Sequence, residues 1–257
     1  MYADTHCHLL PGVDDGVEDW EESLRCLQIA REERIDTICV TPHIWRERFP
    51  NRPDDLKKIF DEWSSRASAL GISLHLGSEV FYRRDLAKAW KRGEFISMDG
   101  KGAYLLVELP PAFYPSEFPL ACYDLRLAGV EPVLAHPERY TFARKAPRRL
   151  DELSRAEIPF QITTHSVVGT FGRAVQKASF DLLEKGWVRL MASDAHSSEG
   201  RVPLMREAVR VIARRYGKEA ARRLSIVNPR RLIKGMPLIP VECVPAKSRR
   251  RRRTVEI

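Results

Sequence analysis

No stretch of the chain approaches the roughly 18 consecutive apolar residues that a membrane-spanning helix requires, so no transmembrane helix is expected. The N-terminus lacks a basic segment followed by an apolar one, which argues against a secretory signal and makes a cytoplasmic protein the expectation. Cysteine is sparse. Cys7, Cys26, Cys39, Cys122 and Cys243 are odd in number and widely scattered, which argues against a disulfide framework. Cys26, Cys39 and Cys122 read as buried free thiols. Also missing are a solenoid-type repeat and the Gly-rich phosphate turn of an open, doubly wound sheet.

What is present suits a globular α/β protein. The 257 residues are 44% hydrophobic and 30% charged, enough for one large domain with a full core or two small ones. The net charge of +8 is uneven, because Arg249 to Arg253 place five positive charges in a row. Such a run reads as a solvated, flexible tail; contact with anionic lipid or nucleic acid is the alternative. Without it the body is mildly basic, so no specific nucleic-acid partner is expected.

Short apolar, β-branched runs at 2–6, 37–41, 73–76, 104–107, 132–135, 160–163 and 188–192 alternate with longer amphipathic segments. Trp20, Leu24 and Leu27 recur at helical spacing, as do Leu204, Ala208 and Val211. Gly186 stands where it would stop the helix carrying Leu182 and Leu183. An unbroken series of βα units predicts a closed α/β barrel rather than two domains. The pattern ends after Ile239. Residues 1–239 are therefore read as a single domain and 240–257 as a basic tail.

The polar chemistry gathers where the runs stop. The first run ends in His6 and His8, which share one side of a strand, with Asp14 and Asp15 in the next turn. The others lead to Thr41-Pro42-His43, Gly77-Ser78-Glu79, Glu108, His136-Pro137-Glu138-Arg139, Thr164-His165-Ser166 and Ser193-Asp194-Ala195-His196. Of the 7 histidines, His75 alone falls inside a run, and it reads as structural. Each group taken singly has an ordinary explanation as a turn former, a helix cap or a buried histidine on a carbonyl. In a parallel barrel, however, all C-terminal strand ends share one rim. Imidazoles and carboxylates without thiolates favour Zn2+, Mn2+ or Fe, and their number suggests a multinuclear hydrolytic centre. Arg139 and Arg201 flank two of these strand ends, and a guanidinium beside a dication cluster suits a phosphate; the plain alternatives are a salt bridge of Arg139 with Glu138 or another acid and, for Arg201, a solvated loop arginine.

His6-Cys7-His8, Val13-Asp14-Asp15-Gly16, Thr41-Pro42-His43, Gly77-Ser78-Glu79, Val107-Glu108, Ala135-His136-Pro137-Glu138-Arg139-Tyr140, Ser193-Asp194-Ala195-His196 and Asn228-Pro229-Arg230 together resemble the PHP (polymerase and histidinol phosphatase) superfamily. More closely, they resemble its manganese-dependent bacterial tyrosine phosphatases of capsule and exopolysaccharide synthesis. The resemblance implies a distorted (β/α)7 TIM-like barrel holding three divalent ions, Mn2+ foremost, with Fe, Zn2+ or Mg2+ as alternatives. By motif position His6, His8, Glu79 and Asp194 would hold the first ion. Glu79, Glu108 and His136 would hold the second, and Asp15, His43 and His196 the third. Arg139 and Arg201 match positions implicated in phosphate binding. The implied activity is phosphotyrosine hydrolysis, with the tyrosine-rich tail of a bacterial autokinase as the partner. Relatives often carry Gln-x-Asn before a Ser where this chain has Gln161-Ile162-Thr163. Thr163 thus replaces an amide, and His165 is an additional imidazole left outside the ligand set.

Two rival readings are a histidinol-phosphate or other small phosphomonoester phosphatase on the same metals, and a nucleic-acid-binding module or PHP-type nuclease that uses the arginine tail. A non-catalytic metal-binding protein is the third alternative. Cys243 through Arg249 also matches the Cys-x5-Arg loop of cysteine-dependent tyrosine phosphatases. That loop needs a strand before it and a helix after it to lower the thiol pKa. Here the motif lies in a Pro- and Arg-rich tail, so the metal route is preferred. Phe49, Phe113, Tyr114 and Tyr140 are candidates to line a substrate pocket or to pack in the core.

Overall fold

The computed structural model describes residues 1–146 and 148–245. The strands are β1 (Tyr2–Asp4), β2 (Ile35–Val40), β3 (His43–Ile44), β4 (Ser73–Leu76), β5 (Glu79–Phe81), β6 (Tyr104–Glu108), β7 (Glu131–Ala135), β8 (Phe160–Thr163) and β9 (Val188–Ala192). Every strand pairing is parallel. The pairings run β1-β2-β4 and β3-β5-β6-β7-β8-β9. A parallel bridge between Cys7 and Ala195 joins the chain beyond β1 to the chain beyond β9 and closes the ring.

All seven apolar runs are strands, but two of them resume after an interruption. Pro42 has no N–H to give the ladder, and Gly77 passes where a Cβ would meet Met98 Cα at 3.0 Å and Cys39 Sγ at 3.1 Å. Hydrogen bonds from Gly77 N to Val40 O (2.8 Å) and from Glu79 N to Pro42 O (3.1 Å) carry the pairing across both breaks. β3 and β5 are thus the upper halves of the second and third barrel positions. His43 and Glu79, placed by the sequence just past their runs, stand on short strands of their own.

Helices cover the outside. α1 (Trp20–Glu32) starts at Asp19, whose carboxylate accepts from Glu22 N, and buries Cys26, Leu27 and Ala30. α2 (Pro53–Ala67) opens on a proline at its first turn. α3 (Leu86–Lys91), α4 (Phe118–Leu127), α5 (Thr141–Lys145), α6 (Arg148–Arg155), α7 (Thr164–Val168) and α8 (Arg173–Glu184) follow their strands in order. Gly186 closes α8 in the left-handed conformation at φ 74°, as expected. α9 (Arg206–Tyr216) begins after Leu204, so Ala208 and Val211 belong to its apolar face and Leu204 does not. α10 (Lys218–Arg222) and α11 (Asn228–Ile233) complete the set.

The barrel interior is filled by Cys39, Tyr104, Leu106, Val133, Ala135 and Leu190, with Met98 and Leu232 against them. Tyr104 and Leu106 alternate inward, and the next residue of that face is Glu108. Apolar packing therefore gives way to polar ligands toward the C-terminal end of the same strand face. At the opposite end, Asn228 Nδ2 donates to Arg189 O (2.9 Å) and Ile239 O (2.8 Å), and Ile239 N donates back to Asn228 Oδ1 (2.8 Å). Arg230 pairs with Asp36 at 2.6 Å at the start of β2. The Asn-Pro-Arg motif is thus a fastening for the barrel floor. Beyond Ile239, Val241 and Cys243 are buried. The arginine run and Arg249, the distal end of the Cys-x5-Arg match, lie outside the described residues. Among the described residues no helix is long and apolar enough to cross a membrane.

Candidate metal centre

The strand ends deliver nine side chains to one bowl. Their donor atoms fall into four overlapping groups: His8, Asp15, His43 and His196; His6, His8 and Asp194; His6, Glu79 and His136; and His43, Glu79 and Glu108. These are the nine residues the motifs single out, and no other described residue joins them. His6 Nε2 lies 3.2 Å from His8 Nε2, from Glu79 Oε2 and from Asp194 Oδ1. His136 Nε2 is 3.1 Å from Glu79 Oε1 and 3.8 Å from Glu108 Oε1. Asp15 Oδ1 reaches His43 Nε2 at 3.4 Å and His196 Nε2 at 3.5 Å. Glu79 stands at the centre, touching four of the five imidazoles.

Local backbone explains the convergence. His136 (φ 31°) and Asp194 (φ 53°) both adopt the left-handed region, which costs a non-glycine residue about 1–3 kcal/mol. His136 follows directly on β7 and Asp194 lies two residues past the end of β9, and each turns its side chain inward. Asp194 N donates to His6 O and His8 N to Ala195 O, each at 2.8 Å, so the two His/Asp pairs are laced across the barrel seam. Gly16 lies against His8 so closely that a Cβ there would fall 2.1 Å from His8 O.

The donors fit divalent ions. His8 Nδ1 is 2.7 Å from Asp14 Oδ2, and His196 Nδ1 is 3.0 Å from its own neighbour's carbonyl, Asp194 O. With Nδ1 engaged from behind, each ring turns its Nε2 lone pair into the bowl. Gln161 Nε2 lies 2.6 Å from His6 Nδ1, while Gln161 Oε1 is buried with no partner. With the amide oxygen on the His6 side, Gln161 accepts from His6 Nδ1–H, and the Nε2 lone pair is free to ligate. Two imidazole nitrogens aimed at each other across 3.2 Å are mutually repulsive unless a cation or proton lies between them.

Titration behaviour shows the same frustration. Burial disfavours a charged His6, but Glu79 and Asp194 outweigh it and push His6 up to about 9. Burial, then the charges of Glu79 and Asp194, push Glu108 up to about 8. Burial depresses His43 and His136 to about 4. Glu79 is held well below the usual carboxylate range, because His6 and His43 overcome its burial. Bound dications would let all these carboxylates ionise and all these imidazoles stay neutral.

Arg139 and Arg201 both donate to Asp194 Oδ2, the latter at 2.5 Å, while Oδ1 faces His6. Their side chains are 30% and 28% exposed, so both remain open to a substrate. Arg139 therefore pairs with Asp194 rather than with Glu138. Glu138 is buried and instead accepts from Thr163 N (2.8 Å) and Thr163 Oγ1 (3.2 Å). Thr163 also caps α7 through Ser166 N, so it holds the turn carrying Arg139 against the end of β8. His165 Nε2 lies 2.9 Å from Val202 O, outside the ligand cluster, and supports the loop that carries Arg201. His75 sits on β4 beside Ser73, away from the bowl.

Of the aromatic candidates, Phe49 stacks on His43 (5.4 Å, 6°) at the bowl's edge, and Tyr140 is core. The Tyr140 hydroxyl is committed to Leu109 N and Ala135 O. Phe113 and Tyr114 line an adjoining groove. Several site residues have no role in the sequence reading. Asp14 orients His8, Gln161 contacts His6, and Phe171 lies under the Arg139 guanidinium at 5.3 Å. Asp14 sits in the quoted Val-Asp-Asp-Gly motif and was within reach of a sequence argument; Phe171 carries no local signal. All five cysteines are buried, Cys243 included, which disfavours a thiolate nucleophile.

Fold and donor set together define a metal-dependent enzyme on a PHP-type distorted barrel. The family described as "Capsular polysaccharide synthesis, CpsB/CapC" matches residues 2–234, and the chain belongs to it. The tyrosine-protein phosphatase YwqE of Bacillus subtilis is 32% identical over 218 residues, covering 84% of this chain and 85% of that protein. The tyrosine-protein phosphatase CpsB of Streptococcus pneumoniae is 27% identical over 237 residues, covering 90% and 97%. A chain from the crystal structures of YwqE from Bacillus subtilis and CpsB from Streptococcus pneumoniae, described as unique metal-dependent tyrosine phosphatases, superposes with a TM-score of 0.89 at 29% identity, over 95% of this chain and 99% of that one.

Proposed function

We infer that this protein is a metal-dependent protein-tyrosine phosphatase tied to capsule or exopolysaccharide synthesis. The observation that carries the reading is nine imidazole and carboxylate ligands meeting in one bowl, with two arginines on its rim. We assign three divalent ions, Mn2+ foremost. His6, His8, Glu79 and Asp194 would hold one, Glu79, Glu108 and His136 a second, and Asp15, His43 and His196 a third. When bound, such ions lower the pKa of water and neutralise phosphoryl oxygens.

The chain's own residues supply the rest. Arg139 and Arg201 present fixed positive charge toward the cluster, where it would bind the non-bridging oxygens and offset charge developing in transfer. Phe171 beneath Arg139 and the Val202 carbonyl on His165 hold the two guanidinium-bearing segments in place. A phenolate is a comparatively good leaving group, so strong general-acid help is not required. We assign the tyrosine-rich tail of a bacterial autokinase as the protein substrate. Residues 1–239 are taken as the catalytic domain and 240–257 as a basic tail suited to an anionic membrane surface; the family match, which ends at 234, supports this division.

The test is hydrolysis of a phosphotyrosine peptide after chelation and Mn2+ add-back, with histidinol phosphate as the competing substrate. Activity should vanish on chelation, return with metal, and fall at least about 100-fold in Asp194→Ala and His136→Ala. Full activity in both variants removes the site. A higher kcat/KM for histidinol phosphate removes the protein-phosphatase assignment.

A further inference from the structure

A groove of about 1500 Å3 opens beside the metal bowl. Three ligand-bearing strands lead directly into it. Two residues beyond His43 is Trp45, two beyond Glu79 is Phe81, and two beyond Glu108 is Pro110, and all three line the groove. Alternation along an extended chain puts each such pair on one side. The groove is therefore the outward continuation of the wall that carries the ligands. Trp45 and Phe81 stack face to face (3.9 Å, 9°) at this junction, and Phe113, 62% exposed, lies across from them with Tyr114. Small-molecule sites run to roughly 300–1,000 Å3, so the space suits several residues of an extended peptide.

The groove's charges are unequally spent. Arg83 and Arg92 are neutralised by Asp85 and Glu94, at 2.5–3.0 Å. Arg46 and Arg52 make no ion pair among the described residues, and Arg84 is 84% exposed with only a 3.5 Å contact to Glu117. Outside the groove, beside Trp45, Arg48 lies over Phe49 (4.9 Å) and Trp45 (5.6 Å), 3.8 Å from Asp15. Glu47 and Glu117 also line the groove, so its five arginines exceed its carboxylates by one, and the surplus lies with Arg46, Arg52 and Arg84.

We propose that this groove binds the residues flanking the phosphotyrosine, with Trp45 and Phe81 packing the extended peptide and Arg46 and Arg84 selecting acidic side chains. The proposal rests on the phosphatase reading and adds a substrate preference to it. Arg46 and Arg84 are exposed, so Arg46→Glu/Arg84→Glu should fold.

The experiment compares kcat/KM of the Mn2+-loaded protein on p-nitrophenyl phosphate and on two phosphotyrosine peptides, one flanked by Asp and Glu, the other by Lys. Wild type should favour the acidic peptide about tenfold, as two exposed charge pairs would allow, and less so at high salt. The double charge reversal should erase or invert that preference. Trp45→Ala should lower the ratio of either peptide to p-nitrophenyl phosphate. Equal rates on the two peptides, or a preference untouched by charge reversal, overturns the groove assignment alone. A loaded wild type that cleaves none of the three overturns the phosphatase reading, and the groove assignment falls with it.

Discussion

Asp14 neighbours a member of the donor cluster without belonging to it. Its Oδ2 meets His8 Nδ1 at 2.7 Å and accepts from His43 N at 2.9 Å, so one carboxylate orients two histidines of the donor cluster. His8 has little freedom otherwise, because Gly16 presses on its backbone. Loss of such an orienting carboxylate typically costs 10–100-fold in metal affinity. Asp14→Asn should therefore weaken Mn2+ binding by about that factor, measured by titration calorimetry, with far-UV circular dichroism unchanged. Undiminished affinity would make Asp14 a turn residue and nothing more.

At the scale of the element, each strand does two jobs along its length. The inward face is apolar near the barrel floor and ligating near the rim, as Leu106 and Glu108 show on β6. The floor has its own fastening in Asn228, which ties β9 to the segment after α11 by three hydrogen bonds while fully buried. Replacing it with alanine strands two carbonyls and an N–H in the interior. Asn228→Ala should cost roughly 2–4 kcal/mol, seen as a lowered urea midpoint, while kcat/KM of the folded fraction stays near wild type. A large loss of activity at full stability would move the motif to the active site. The seven runs were legible as strands because β-branched clusters recur between helical periods. The resumption of two of them as β3 and β5 was not, since Pro42 and Gly77 are locally breakers and only pairing with neighbouring strands carries the chain through.

For the whole molecule, metal, protons and stability are linked. Without metal, His6 at about 9 is raised above its ordinary 6.5, so its contribution to stability is complete below 6.5 and is lost as pH rises through 9. His43 and His136, depressed to about 4, act oppositely and weaken the metal-free fold as pH falls from 6.5 toward 4. Ligation requires neutral imidazoles, so loading near pH 7 releases protons and strengthens as pH rises. The increase in Tm on adding Mn2+ should therefore be larger at about pH 8.5 than at pH 6.5 by differential scanning calorimetry. A gain independent of pH would contradict the protonation state inferred for His6.

The sequence by itself determined the alternation of strand and helix, the parallel barrel, and which imidazoles and carboxylates stand at the strand ends. Those features are written in local periodicity and in side-chain types that recur at each run's end. Tertiary structure alone decided that Glu79 is the hub, that Asp14 and Gln161 back the histidines, and that Arg139 and Arg201 meet on Asp194. It also decided that Thr163 braces Glu138 and that an aromatic groove continues the bowl. These are contacts between side chains remote in sequence, and their geometry is fixed by barrel closure, for which no single segment carries a signal.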